Sequence, residues 1–268
     1  MYLAVDIGGT KTLLAVFNSE GIIRESVKFP TRKSYTKFLE DLASNIESLK
    51  TKNFHAVCCA VPGQIDKTGE VAQRFGNLDW KNVTVGKDLQ KLIPHTMVLL
   101  QNDAKLAGLA EATSHPKYHK VLYLTISTGI GAGFIVDGKI DPYLADSEPG
   151  QMVVEYKGKI QKWEDFASGR ALVARYGKRA SEIEDKDIWR EFSAGLARGM
   201  NELIATLQPE VIIMGGGVGA HYEKFSDYLE AELAKLANEM VTTPPIIKAK
   251  KAEEAVVYGC YEYIKQHI

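Results

Sequence analysis

Apolar and polar positions along this chain fall into short blocks whose lengths and periods predict strands and helices in a definite order. Residues 2–8, 11–18 and 22–29 read as three strands with tight connections, and Asn18-Ser19-Glu20-Gly21 is a hairpin turn signal. Between 34 and 50, Phe38, Leu42, Ile46 and Leu49 recur at helical spacing. His55 to Val61 is apolar, too short for a helix and closed by Pro62-Gly63, as expected of a buried strand. Asp88 to Ile93 reads as helix, Thr96 to Leu100 as another buried strand, and Ala104 to Ala112 as helix. The first three strands would form an antiparallel meander. The later ones need helical crossovers and so pair in parallel.

His115-Pro116-Lys117 interrupts the pattern, and a lobe boundary is expected there, separating 1–114 from 115–252. The second half repeats the scheme with insertions. Strands are expected at 121–128 and 133–137, an irregular segment at 141–162, and long helices near 163–176 and 188–207. A buried strand at 210–214, a helix at 225–240, a short strand at 246–249 and a final helix at 253–265 complete the reading.

Composition narrows the class without naming a chemistry. The 268 residues are 45% hydrophobic and 25% charged, with a net charge of −1, so neither nucleic acid nor an anionic membrane surface is an expected partner. The longest apolar runs are strand-length, short of a membrane span. The first strand begins almost at once, and no signal peptide is expected. Cys58, Cys59 and Cys260 offer neither metal-ligand spacing nor an even disulfide set, and a cytoplasmic location is expected.

Two glycine-rich turns bring in chemistry. Asp6-Ile7-Gly8-Gly9-Thr10-Lys11-Thr12 lies between two apolar runs, and so does Ser127-Thr128-Gly129-Ile130-Gly131-Ala132-Gly133. Glycine lets a backbone approach a bound group and turn its N–H donors toward an anion, and the Ser and Thr hydroxyls add donors. A matched pair suggests a phosphate chain held between two related halves. Asp6 beside such a cradle suits a divalent cation, or caps its own turn. Asn102-Asp103 ends an apolar strand, where ligands bind in parallel sheets. Asp103 reads either as the N-cap of the next helix or as a general base for a hydroxyl. Gly215-Gly216-Gly217-Val218 follows a buried strand and would let a ring or ribose approach the backbone. Asn77, in a polar loop, reads as a turn residue or a hydroxyl ligand, while Glu148, Gln151 and Glu164 lie in or beside the irregular segment.

Together these motifs resemble the ROK family of bacterial sugar kinases and sugar-responsive repressors, within the actin-like, hexokinase-like ATPases. The resemblance is ordered along nearly the whole chain: Asp6-Ile7-Gly8-Gly9-Thr10-Lys11, Val61-Pro62-Gly63, Asn77-Leu78-x-Trp80, Asn102-Asp103-Ala104, the Ser127–Gly133 run, Glu148-x-Gly150 and Pro209 to Val218. It implies an α/β fold of two ribonuclease-H-like lobes around a central cleft, with the last helix, 253–268, returning to the first lobe. It implies ATP-dependent phosphorylation of a hexose hydroxyl. Gly8, Gly9, Thr10 and Lys11 would lie at the nucleotide phosphates and Asp6 near Mg²⁺. Thr128, Gly129 and Gly131 would form the second phosphate loop, and Gly216 and Gly217 would face the adenosine. Asp103 would be the catalytic base, with Gly63, Asn77, Asn102, Glu148 and Glu164 holding the sugar.

Two departures qualify the resemblance. Many members read Glu-x-Gly-His where this chain has Glu148-Pro149-Gly150-Gln151, and many carry a cysteine-rich zinc motif where this chain has Lys157 to Glu164 without cysteine. No structural zinc is therefore expected. Gln151 keeps hydrogen-bonding capacity but does not titrate near neutral pH. The sugar-loop pattern looks like the glucokinase members and favours glucose, with fructose, mannose and N-acetylated amino sugars left open, and the family suggests a homodimer. The alternatives are a sugar-binding protein without catalysis and a polyphosphate-dependent kinase. A repressor is disfavoured because the phosphate motif starts at residue 6.

Overall fold

Alternation along the first strand sets up the first sheet. In β1 (Tyr2–Ile7), Leu3, Val5 and Ile7 join one apolar cluster while Ala4 joins another, so both faces of the sheet are buried. The computed structural model describes residues 1–66, 68–75, 78–251 and 254–268, and its chain divides into two units, with the break after Ala110.

The first unit carries β1, β2 (Lys11–Phe17), β3 (Ile23–Pro30), α1 (Tyr35–Ser48), β4 (Ala56–Val61), three short strands β5 (Gly63–Ile65), β6 (Ala72–Phe75) and β7 (Lys81–Val83), then α2 (Val85–Leu92), β8 (Met97–Asn102) and most of α3 (Asp103–Thr113). Its main sheet runs β3-β2-β1-β4-β8. The first three strands are antiparallel, and β1, β4 and β8 are parallel. Phe38 and Leu42 of α1 and Val85 and Leu89 of α2 cover one face. The other face is lined by Ala4, Ala15, Ala56, Cys58 and Ala60, and small residues there let helices approach closely. Leu106 of α3 and Val257, Cys260, Tyr261 and Ile264 of the C-terminal helix (Ala255–Lys265) fill that face. The sequence boundary at 115 thus becomes a division inside α3, and the C-terminal helix belongs to the first unit.

The second unit repeats the topology. Its strands are β9 (Lys120–Ile126), β10 (Ile130–Val136), β11 (Lys139–Ile140), β12 (Val153–Tyr156), β13 (Lys159–Lys162), β14 (Val211–Gly215) and β15 (Ile246–Lys248). Its helices are α4 (Glu164–Ala167), α5 (Gly169–Tyr176), α6 (Lys186–Leu207), α7 (Gly216–Gly219) and α8 (Ser226–Leu236). The five-stranded sheet runs β11-β10-β9-β14-β15, with the same parallel and antiparallel pairings as the first.

Three expectations change here. The segment expected to be irregular, 141–162, contains the hairpin β12–β13, closed by Lys157 and Gly158, both at positive φ. The single helix expected at 163–176 is broken at Ser168, whose side chain caps α5 by accepting the Ala171 N–H at 3.2 Å. Strand β10 starts at Ile130, so Gly131 and Gly133 are strand residues and the second turn is only Ser127-Thr128-Gly129. Buried Ile130 and Ala132 give β10 its inward positions and pull the strand three residues earlier than the glycines suggest.

Candidate active site

In the first unit, β1 ends one residue after Asp6 and the Gly8-Gly9-Thr10 turn follows. The Gly8 N–H donates to Lys11 O at 3.0 Å, and a Cβ on Gly8 would sit 2.7 Å from that oxygen, so the closed turn needs glycine there. Thr10 and Lys11 are exposed at its tip. Thr12, buried behind them, shares a 2.8 Å hydrogen bond with Thr31 and anchors the turn to β3.

Asp6 shares the Ala4 face of β1, the face toward which α3 packs. Part of its surface reaches solvent, but the atoms crowded around the carboxyl desolvate it strongly. Burial first, then the negative charge of Asp103, push its pKa up to about 7, with Lys28 pulling the other way. Lys28 was not legible as a site residue; it sits on β3, two strands from Asp6.

Asp103 opens α3, and its Oδ1 accepts the Ala104 N–H at 2.8 Å. Asn102 also caps the helix. Its Oδ1 accepts the N–H groups of Ala104 and Lys105 at 3.0 and 3.2 Å, while its Nδ2 donates to Gly63 O at 3.1 Å. Asn102 therefore aims α3 and ties it to β5. Gly63 is a glycine for a packing reason: a Cβ there would lie 1.7 Å from Arg74 O. Asn77 lies outside the described residues. Its motif partner Trp80 is a core residue, donating from Nε1 to Lys33 O at 2.8 Å with its ring 4.7 Å from Phe38.

In the second unit, Ser127 and Thr128 are exposed and the turn closes with the Ser127 N–H donating to Gly129 O at 2.9 Å. The Gly169 N–H holds Ser127 O at 2.7 Å from behind. Glu164, the first residue of α4, lies against this turn, its Oε2 accepting the Ile130 N–H at 3.3 Å. Its Oε1 accepts Gln151 Nε2 at 2.8 Å and Arg170 Nη2 at 3.3 Å. Glu148 and Gln151 bracket a short helical turn over Pro149–Gln151, and Gln151 is exposed. Arg170 was missed because nothing in a Glu-to-Arg spacing of six marks a pair. Gly216 has φ +79, packed so closely on β9 that a Cβ would lie 2.6 Å from Ile126 O, whereas the Cβ position of Gly217 opens on empty space.

Each glycine turn has the backbone N–H and hydroxyl donors that a phosphate group takes. Each unit presents an exposed glycine–hydroxyl turn at the same place in its sheet, between β1 and β2 and between β9 and β10. Among the described residues no group of three or more His, Cys, Asp or Glu is placed to hold a metal ion. One or two carboxylates with the nucleotide's own phosphates is the usual donor set for Mg²⁺, and Asp6 supplies a desolvated carboxylate beside Asp103.

The sequence model of the ROK family matches residues 2–267. The chain belongs to the ROK family. Its relatives include a putative fructokinase of Bacillus subtilis, 29% identical over 87% of this chain and 82% of the other. Among solved structures, a ROK family glucokinase from Streptomyces griseus, in complex with glucose and AMPPNP, superposes with a TM-score of 0.83 at 22% identity, over 99% of both chains. An inorganic polyphosphate/ATP-glucomannokinase from an Arthrobacter strain superposes with a TM-score of 0.74 at 26% identity, over 100% of this chain and 99% of that one. The ROK chain described here therefore has the actin-like ATPase fold of those enzymes. Among its described residues no helix is long and apolar enough to cross a membrane.

Proposed function

We propose that this ROK protein transfers the γ-phosphoryl group of ATP to a hydroxyl of a hexose, with Asp103 as the general base. The protein is a sugar kinase of its family; the base, the donor and the hexose are the finer reading. The observation that carries it is the pair formed by Asp6 near the end of β1 and Asp103 at the opening of α3, where burial first and the Asp103 charge second raise the Asp6 pKa to about 7.

Asp103 accepts the proton of the attacking hydroxyl, and its position at the first turn of α3 is fixed by the Asn102 cap. Gly8, Gly9, Thr10 and Lys11 would hold phosphate oxygens in the first unit, and Thr128 and Gly129 in the second. Gly131, inside β10, would support the second turn from the strand. Gly216 and Gly217 would lie under the adenosine, the empty space over Gly217 leaving room for it. Asp6 would hold Mg²⁺ with the nucleotide, where the cation neutralises charge on the transferred group. Gly63, Asn77, Asn102, Glu148 and Gln151 would surround the sugar, with Glu164 directly behind Gln151.

Glucose is the expected hexose, on the pattern of Asn77, Asn102, Asp103 and Glu148. ATP is favoured over polyphosphate because a glycine open to solvent at 217 has no use for a donor without a base. A coupled assay over a hexose panel, with ATP and polyphosphate in parallel arms, tests the reading. Asp103→Ala is expected to lower kcat by about 10²–10⁴-fold with the fold intact by circular dichroism. Near-wild-type turnover in that variant removes Asp103 from the chemistry. Saturable sugar binding without turnover on any donor points to a sensor instead.

A further inference from the structure

Glu164 gathers donors from three separate segments around the phosphate turn of the second unit. Ile130 contributes a backbone N–H, Gln151 its carboxamide and Arg170 its guanidinium. The side chain is only 16% exposed. Two glycines make room for it: a Cβ on Gly129 would lie 2.6 Å from Oε2, and one on Gly150 3.0 Å from the same atom. A carboxylate with this much of the local geometry arranged around it is more than a ligand for a single hydroxyl.

We propose that Glu164 is a positioning residue that couples the Ser127–Gly129 turn to Gln151, so that nucleotide on the turn tightens sugar binding at Gln151 and sugar tightens nucleotide binding. The inference rests on the kinase reading for the identity of the two ligands, and on geometry alone for the brace. An ionised carboxylate only accepts hydrogen bonds, so the Gln151 amide nitrogen faces it and the Gln151 carbonyl oxygen is presented outward as an acceptor. Gln151 then selects a sugar group that donates, an O–H or N–H. Ordering the turn around phosphate holds Ile130 N–H on Oε2, which holds Oε1 against Gln151. Coupling of this kind is a free energy shared by both sites and is necessarily reciprocal. Arg170 balances the Glu164 charge, which a phosphate anion on the adjacent turn would otherwise oppose.

Two measurements on the full chain decide this. The first is calorimetric titration of the best hexose from the panel, with and without Mg-AMPPNP. The wild type is expected to show a coupling factor of about 5-fold or more. In Glu164→Ala it is expected to fall to within 2-fold of unity, and in Arg170→Ala the loss is expected mainly in nucleotide affinity. Glu164→Gln, which keeps size and one acceptor, is expected to restore part of the coupling. The second is amide exchange without ligands, where Glu164→Ala is expected to speed exchange at Ile130. Equal coupling in wild type and Glu164→Ala, or unchanged Ile130 exchange, overturns the proposal. A wild type that binds neither ligand overturns the kinase reading instead, and the exchange arm still decides the brace.

Discussion

Asp6 shows how one residue can oppose the stability of the fold that carries it. Its folded pKa of about 7 lies above the ordinary 3.8, because burial and Asp103 disfavour its charge. Below about pH 4 the group is protonated folded and unfolded alike. Between about pH 4 and 7 only the folded chain keeps the proton, so stability falls as pH rises through that window and levels off above it. Full ionisation costs on the order of 2–4 kcal/mol. Asp6→Asn removes that slope. Without nucleotide, the variant is expected to match wild type near pH 4 and to exceed its urea midpoint at pH 8. Parallel stability curves from pH 4 to 8 would mean that the carboxyl is far better solvated than its packing indicates.

Among the elements, the hairpin β12–β13 and helix α6 carry the segment that presents Gln151 and Glu164. Trp163, just before α4, is fully buried, and its backbone N–H donates to Met152 O at 2.8 Å, closing the hairpin onto the helix. Tyr156 of β12 stacks on Phe166 at 4.6 Å, and both lie near Gly195 of α6. Gly199, one turn on, faces the indole so closely that a Cβ would lie 2.2 Å from Trp163 Cδ2. An exposed helical Gly→Ala change stabilises by about 1 kcal/mol. At this site overpacking against a buried ring wins, and Gly199→Ala is expected to destabilise by about 1–3 kcal/mol. A thermal midpoint above wild type would show that Trp163 has room to move. The hairpin was hard to read because Lys157, Lys159 and Lys162 mask its alternation, leaving the Lys157-Gly158 turn as the sole cue.

For the whole molecule, the first unit is completed only by the last helix of the chain. Tyr261 donates to Ser19 O at 2.9 Å and stacks on Phe17 at 5.2 Å, contacts that join residues more than 240 positions apart. A Cβ on Gly259 would lie 1.9 Å from Leu106 O, a backbone atom that cannot swing aside. Gly259→Ala is accordingly expected to cost about 3 kcal/mol or more, read by urea unfolding, and to lower the yield of folded protein. A neutral result would mean that the helix does not seat on α3. Contacts of such sequence separation also predict slow folding of this unit. The family resemblance supplied the return of this helix; periodicity alone gave a terminal helix without a destination.

The order of the main-sheet strands and the longer helices, both glycine turns and the Asn102-Asp103 step are written locally, in period-two and period-3.6 apolar spacing and in the few residue types that a tight turn or a helix start accepts. What needed the folded chain were the pairings between distant segments. Asn102 ties the start of α3 to β5 because it reaches both the helix amides and Gly63. Asp6 acquires its high pKa from atoms that β1's neighbours pack around it, and Glu164 acquires Arg170, Gln151 and Ile130 as partners only when α4 and α5 fold against the turn. Local sequence determines backbone preference within a few residues; desolvation and hydrogen-bond partners depend on what the whole chain brings within a few ångströms.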